Sequence, residues 1–353
     1  MILLSALVFL PMVGALVLIG MRGTPAKLVG FGFAVVTAIL GVIVFVIAQS
    51  QPLADSVSWI APIGAYYALS FDGLSGLLAL LTVILVPVVM IAEWNVGDEA
   101  AWSTRTYFAL VLALESLALL VFLASDVLLF YIAFEATLIP MFYLIAGWGG
   151  DKRRRAAIKF LLYSLAGGLV MLVSVAGLYA VGAAQGKISY LLSDLAQLDL
   201  SGDLGRWLFV GFFFAFAVKA PMAGLHTWLP DTAEQARPGS STLLVGILDK
   251  IGAFGMIKIG LVVFPEASAW ATPVILVWAI VSMIYGALMA LSAKNLLRLV
   301  SYTSVSHFGF MVFGIYALTT PSISGSIFYM VNHGFSTAAL FLVVGYLIAR
   351  RGR

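Results

Sequence analysis

Long apolar stretches separated by short polar turns run along the whole chain. A membrane-spanning helix needs ~20 mostly apolar residues, and the sequence offers about eleven such stretches. They lie near 2–21, 28–49, 71–92, 106–124, 126–147, 158–184, 206–219, 241–264, 271–292, 297–318 and 323–348. The longer connections are 50–70, 185–205 and the segment after Lys219. The pattern predicts an all-α polytopic membrane protein with one membrane domain over 1–353.

Composition supports this fold class and narrows the chemistry. The 353 residues are 63% hydrophobic and 10% charged, with a mean hydropathy of +1.10, whereas soluble domains are about 25% charged. The chain has no cysteine and therefore supplies no thiolate for a metal or an iron–sulfur cluster. Its three histidines match no metal-binding motif, and a net charge of +3 does not indicate a nucleic-acid partner. We expect no metal and no cofactor in this chain, and lipid around it.

The distribution of Lys and Arg sets the expected orientation, because cytoplasmic loops are enriched in both. With the N-terminus outside, the inner loops contain Arg22, Lys27, Arg105, Lys152, Arg153, Arg154, Arg155, Lys159, Arg237, Lys294, Arg298, Arg350, Arg351 and Arg353. The outer loops then contain only Lys187 and Arg206. We expect the chain to start outside and its last residues to be cytoplasmic.

One apolar stretch is interrupted in a way that indicates function. Lys219 ends the stretch, and Pro221 and Pro230 follow within the next eleven residues. A helix rarely passes intact through two prolines. At membrane depth a broken helix is tolerated only where protein or water satisfies its backbone. The sequence predicts a broken helix near 219–222 with a buried cation beside it, which is a functional-site candidate.

Several other ionisable residues also lie within or at the edges of the predicted spans, where each needs a partner or water. They are Glu115, Glu135, Asp249, Lys250 and Lys258. Because a nearby lysine favours the ionised form of a buried carboxyl group, Glu135 and Lys219 suit a proton valve. The alternative is a static ion pair that fixes helix packing. Glu115 lies at a depth similar to that of Glu135, and for it the two interpretations are evenly balanced.

The polar residues of the later spans suit a proton relay. Lys250 is predicted at mid-depth; Asp249 precedes it but points elsewhere, since adjacent helical residues lie ~100° apart. His307 and His333 lie mid-span among small hydroxyl-bearing neighbours, and histidine titrates near neutral pH. Packing is the alternative role for both. His226, in the broken segment, is either a proton entry residue or a capping residue.

Four segments carry a resemblance to a known family. They are FYIAFEATLIPMFYLIAGWGG (130–150), KAPMAGLHTWLPDTAEQARPGSSTLLVGILDKIGAFGMIK (219–258), SYTSVSHFGF (301–310) and NHGFSTAALF (332–341). They resemble the antiporter-like membrane subunits of NADH–quinone oxidoreductase, respiratory complex I. The form around Glu135 is most similar to subunit M, the homologue of mitochondrial subunit 4. The resemblance covers essentially the whole chain.

The resemblance implies roles for particular residues. Glu135 matches the family's acidic residue on the fifth helix, Lys219 the lysine on the broken seventh helix, and Lys250 the lysine on the eighth. His307 and His333 match polar relay positions on helices ten and eleven. The family fold contains two inverted five-helix repeats, each with a broken helix. On this basis 1–105 would form N-terminal helices, 106–264 the first repeat, and 271–353 an incomplete second repeat.

Family members normally have about fourteen helices, so we expect this chain, with about eleven, to be a fragment of a longer protein. The resemblance implies a bacterial plasma membrane protein that couples quinone reduction to proton pumping beside subunits of the L and N types. NAD, FMN, iron–sulfur clusters and quinone would then belong to partner subunits. Two alternatives remain: a subunit of a multisubunit Na⁺/H⁺ antiporter, and a structural membrane anchor whose charges are packing ion pairs.

Overall fold

The computed structural model describes residues 2–21, 25–97 and 102–351, and within them the chain forms a helical bundle with one two-stranded sheet. The helices are α1 (Leu3–Gly20), α2 (Pro25–Ala48), α3 (Gly73–Ala92), α4 (Thr104–Leu123), α5 (Val127–Ala136), α6 (Leu138–Gly147), α7 (Arg153–Ala184), α8 (Leu192–Leu195), α9 (Gly202–Lys219), α10 (Trp228–Gln235), α11 (Pro238–Leu243), α12 (Lys250–Gly255), α13 (Pro265–Ser292), α14 (Leu296–Tyr316) and α15 (Thr320–Arg351). The strands are β1 (Leu53–Ile60) and β2 (Ala65–Phe71).

Helical segments occupy all eleven stretches predicted to span the membrane. Nine helical stretches of the described chain are long and apolar enough to cross a membrane, with α5 and α6 together forming one of them. Of the other two predicted spans, α9 carries Asp203, Arg206 and Lys219 within its 18 residues. The other, predicted near 241–264, is divided into short helical segments from α11 to residue 261. The all-α membrane fold is confirmed, and the count of eleven spans stays a prediction.

Glycines allow the later helices to approach each other closely. A Cβ at Gly286 of α13 would lie 2.5 Å from the amide nitrogen of Ser306 in α14. A Cβ at Gly309 of α14 would lie 2.8 Å from the carbonyl oxygen of Ala279 in α13. Such contacts of small residues with a neighbouring backbone are the usual basis of helix association in membranes. They hold α14, which carries His307, against α13.

The segment 50–70, expected only as a connection, forms a β-hairpin. Leu53 pairs with Phe71 and Ile60 with Ala65 in an antiparallel register. The turn ends at Gly64, whose φ of 65° lies in the left-handed region and whose Cβ, if present, would clash with a neighbouring carbonyl. The hairpin is attached to the bundle because Asp126, the N-cap of α5, accepts a hydrogen bond from a β2 amide. This end of the bundle is called the hairpin end below.

Ion pairs cluster at the opposite end of the bundle, called the basic end below. Glu93, which follows α3, accepts two hydrogen bonds from Arg237 and one from the amide of Gly239, at 2.9–3.1 Å. Asp231 of α10 bridges Lys159 of α7 and Arg298 of α14 at 2.7 and 2.8 Å. These contacts connect the broken segment to three long helices.

Candidate functional site

The predicted helix break is present, and proline accounts for it. Helix α9 ends at Lys219, and the next helix begins only at Trp228. Pro221 has no N–H to donate to the carbonyl of Ala217, and its ring would clash with that turn. Ala220 consequently leaves the helical conformation, with φ −86° and ψ 82°. Lys219 therefore occupies the last turn of α9, beside unwound backbone.

Side chains of the protein satisfy this unwound backbone. Ser282 of α13 accepts a hydrogen bond from the amide of Ala223 at 3.1 Å, and Trp278 donates to the Ala223 carbonyl at 2.8 Å. Trp228 donates from its indole nitrogen to the carbonyl of Val218 at 3.2 Å. A broken helix at membrane depth requires such partners. The break is therefore a built feature that α13 holds in place.

The ammonium group of Lys219 lies in an aromatic pocket. The side chain is 1% exposed, and Nζ lies 5.3 Å from the ring centre of Phe134 and 5.5 Å from that of Phe160. Within the described chain Nζ has no hydrogen-bond partner. Aromatic faces attract a desolvated cation by roughly 2 kcal/mol, which is less than an ion pair in contact would supply. The pocket therefore attracts the Lys219 ammonium group without holding it in a contact ion pair.

Glu135 lies close to Lys219 without contacting it. It is the next-to-last residue of α5, where the bundle's α5–α6 span is interrupted because Pro140 cannot donate to the carbonyl of Ala136. Its carboxyl group interacts electrostatically with Lys219, but no direct ion pair joins them among the described residues. The predicted proximity of Glu135 and Lys219 is thus present, while a static contact pair is not.

Gly168 of α7 provides the space for the Glu135 carboxyl group. A Cβ at position 168 would lie 1.6 Å from Glu135 Oε1, well inside any allowed contact. At neighbouring Gly167, the nearest heavy atom to such a Cβ would be 3.3 Å away. Gly168 thus determines where the carboxyl group of Glu135 sits relative to Lys219.

The segment that carries Lys250 has an irregular helix. Two π-helical turns, Leu244–Leu248 and Met256–Leu261, flank α12. The ammonium group of Lys250 donates to the carbonyl of Val245, five residues earlier, at 2.6 Å. Wide turns of this kind occur frequently at functional sites because they free backbone groups for other partners.

Lys250 also forms the direct contact that leads to the histidines. Its Nζ lies 2.6 Å from His333 Nδ1, and His333 Nε2 lies 3.2 Å from Ser304 Oγ. The rings of His333 and His307 are 5.2 Å apart between centres. Four residues from three helical segments thus form one polar cluster, in which Lys250, Ser304 and His333 are buried and His307 is half-buried. The structure places three of the predicted relay residues together.

Glu115 and His226 do not join these groups. Glu115 is buried in α4, and neither of its oxygens has a hydrogen-bond partner in the described ranges. His226 accepts a hydrogen bond from the amide of Gly224 at 3.2 Å and packs against the rings of Tyr285 and Tyr302. Both interpretations of His226, proton entry and capping, stay predictions.

Asp249 is the buried group that our sequence-based candidate site omits. It has no exposed surface, and it interacts electrostatically with both Lys219 and Lys250. Two signals in the sequence pointed to it: its place within a predicted span and its position next to Lys250. The second signal was ambiguous, because the helical irregularity that orients both residues cannot be seen in the sequence.

An open cleft lies at the basic end beside the break. Its volume is about 540 Å³, and its charged lining comes from Lys152, Arg155, Lys159, Asp231, Glu234 and Arg298. Phe160, which contacts the ammonium group of Lys219, directly follows Lys159 along α7. The aromatic layer around Lys219, formed by Phe134 and Phe160, therefore adjoins the cleft lining along α7. Over the described ranges, no group of three or more His, Asp or Glu residues is placed to hold a metal ion.

Comparison with known proteins gives concordant results. Residues 124–353 match the family model described as NADH:quinone oxidoreductase/Mrp antiporter, transmembrane. NADH-quinone oxidoreductase subunit M of Mycobacterium tuberculosis is 41% identical over 99% of this chain and 70% of its own length. A chain of respiratory complex I from Thermus thermophilus superposes with a TM-score of 0.90 and 32% identity, over 99% of this chain and 72% of that one.

A more distant structure shares only the fold. A chain of the Mrp complex from Dietzia sp. superposes with a TM-score of 0.85 at 22% identity, over 99% of this chain and 38% of that one. The family-model match covers well over half of this chain, and the subunit M relative exceeds 40% identity. This chain therefore belongs to the NADH:quinone oxidoreductase/Mrp antiporter family of membrane proteins.

Proposed function

We propose that this chain is a proton-translocating membrane-arm subunit of NADH–quinone oxidoreductase, respiratory complex I. The observation that carries the proposal is the buried set Lys219, Lys250 and His333, with the half-buried Glu135 beside Lys219, in a chain 41% identical to subunit M. Buried ionisable groups at membrane depth cost several kcal/mol, and such groups mark ion pathways. The chain would act as part of a translocase and carry out no redox chemistry itself.

The proposed proton path follows these residues from the basic end. Protons would enter from the cleft, pass the aromatic layer and reach Glu135 and Lys219. They would continue to Lys250, which contacts His333, and then to His307. The absence of a contact between Glu135 and Lys219 supports this role, because a tight ion pair would hold both groups in one protonation state.

The same proposal assigns the remaining chemistry to partner subunits. NAD, FMN, iron–sulfur clusters and quinone would be bound elsewhere in the complex, since this chain has no cysteine and no nucleotide-binding motif. The neighbours would be antiporter-like subunits of the L and N types, with lipid around them. The chain would lie in a bacterial plasma membrane with its basic end cytoplasmic, as the distribution of Lys and Arg supports.

We retain the proposed division of the chain into N-terminal helices (1–105), a first repeat (106–264) and an incomplete second repeat (271–353). The position of the helix break after Lys219 supports a first repeat of the inverted-repeat kind, since those repeats contain one broken helix each. A subunit of a multisubunit cation/proton antiporter is the second candidate function, favoured by the similarity of fold to the Mrp complex chain.

A native gel of mildly solubilised host membranes tests the proposal. The gel is probed for this chain and stained for NADH oxidation. We expect the chain in a large band that oxidises NADH. Migration in a smaller band without this activity, together with Na⁺/H⁺ exchange in vesicles, would instead support the antiporter function.

A further inference from the structure

Asp249 is a fully buried ionisable residue with two lysines in electrostatic range and no direct contact to either. It is 0% exposed, and neither of its carboxyl oxygens has a hydrogen-bond partner among the described residues. A buried polar group without a partner is costly in any protein, and more so in a bilayer. Such a group persists where it has a function or where water reaches it.

Tight packing places Asp249 against the end of α9. Three residues after Asp249, a Cβ at Gly252 would lie 2.5 Å from the carbonyl oxygen of Phe216 and 2.6 Å from the amide nitrogen of Ala220. Residues three apart share one face of a helix. The face that carries Asp249 therefore packs directly on the last turn of α9, where Lys219 lies.

The charges around Asp249 alternate in sign. Lys219 interacts electrostatically with both Asp249 and Glu135. Lys250 also interacts electrostatically with Asp249, although its ammonium group points away, toward the Val245 carbonyl and His333. Within the described chain, Asp249 forms no direct ion pair with either lysine. Its carboxyl group nevertheless interacts electrostatically with both Lys219 and Lys250.

We propose that Asp249 is a proton-binding site that connects Lys219 to Lys250. In the first step the Lys219 ammonium group gives its proton to the Asp249 carboxylate, and a neutral amine and a neutral acid result. In the second step the Asp249 carboxyl group gives that proton to a neutral Lys250 amine, which restores the carboxylate. One proton moves and no redox partner is needed. Because direct contacts are absent, each transfer proceeds through water or a side-chain rotation.

This inference rests on the proposed function, and the test separates the two. Asp249→Asn and Asp249→Glu are introduced into the full-length protein in its host, and NADH-driven proton uptake is measured in inverted membrane vesicles. Uptake is divided by the amount of assembled complex on a native gel. Asn matches Asp in shape but cannot carry the proton, whereas Glu can.

We expect Asp249→Asn to reduce uptake per assembled complex at least tenfold and Asp249→Glu to restore at least half of it. Two results would overturn the proposal: wild-type uptake by the Asn variant, or equal loss in both variants, which would indicate packing alone. Glu135→Gln is measured in parallel. If it stops pumping while Asp249→Asn does not, Asp249 lies outside the path and the proposed function stands; if neither changes pumping, both proposals fail.

Discussion

Adding one methyl group at Gly168 would test whether the position of Glu135 matters for proton transfer. In Gly168→Ala the new Cβ would lie 1.6 Å from Glu135 Oε1, whereas ordinary contacts begin near 3.4 Å. The carboxyl oxygen must therefore move by the difference, 3.4 minus 1.6, or about 1.8 Å, unless helix α7 shifts. Misplacing a reacting group by ~1 Å costs on the order of 10²-fold in rate.

We therefore expect proton pumping by the Gly168→Ala complex to fall to less than a tenth of the wild-type rate. The assay is NADH-driven acidification of inverted vesicles, with native gels to verify assembly. Gly167→Ala is the matched control, because the nearest atom to its new Cβ, the Cα of Ala215, is 3.3 Å away, so that only a few tenths of an ångström of helix movement are required and Glu135 is not among the nearest atoms. Wild-type pumping by an assembled Gly168→Ala complex would refute the role given to the Glu135 position.

Two further predictions concern the ends of the bundle. Glu93→Gln weakens the charge-assisted hydrogen bonds from Arg237 and should cost about 1.5–3 kcal/mol, seen as earlier thermal denaturation in detergent. Asp203→Asn, which removes an exposed ion pair with Arg206, should leave the melting midpoint unchanged. An equal shift of the melting midpoint in Glu93→Gln and Asp203→Asn would contradict the greater stabilisation expected of the buried Glu93. At the hairpin end, burial alone would raise the pKa of Asp72. The ion pair with the Lys258 ammonium group outweighs burial and lowers this pKa below its ordinary value of 3.8. Ionised Asp72 therefore stabilises the folded state above about pH 3.8, and this stabilisation is lost as pH falls through the folded-state pKa. Asp72→Asn should remove this part of the acid sensitivity of the melting midpoint. An unaltered pH profile of the variant's melting midpoint would argue against this role of Asp72.

The sequence was most informative about features that depend on local chemistry. Stretches of ~20 apolar residues predicted where the helices lie, since a bilayer imposes that length. The break after Lys219 could be predicted because Pro221 removes a backbone donor wherever it stands. Glu135 and Lys219 were identified as neighbours because burial makes each charge costly alone.

Features that depend on tertiary contacts were harder to predict from the sequence. The β-hairpin was missed because its short alternating strands follow a long apolar helix and depend on contacts such as that with Asp126. The π-helical turns around α12, the close approach of Gly252 to α9 and the contact of Lys250 with His333 all join residues distant in the sequence or depart from regular helix geometry. The sequence alone therefore does not show whether Asp249 is only a packing residue next to Lys250. The folded bundle shows that it is fully buried and interacts electrostatically with two lysines.

The most direct test of the account compares Glu135→Gln with Glu115→Gln in the intact complex. Both side chains have buried carboxyl oxygens without a hydrogen-bond partner in the described chain, but only Glu135 interacts electrostatically with a lysine. We measure protons taken up per NADH oxidised by inverted vesicles. We expect a ratio well below wild type for Glu135→Gln and an unchanged ratio for Glu115→Gln. A wild-type ratio for an assembled Glu135→Gln complex would contradict the claim that protons pass through Glu135 and the buried lysines.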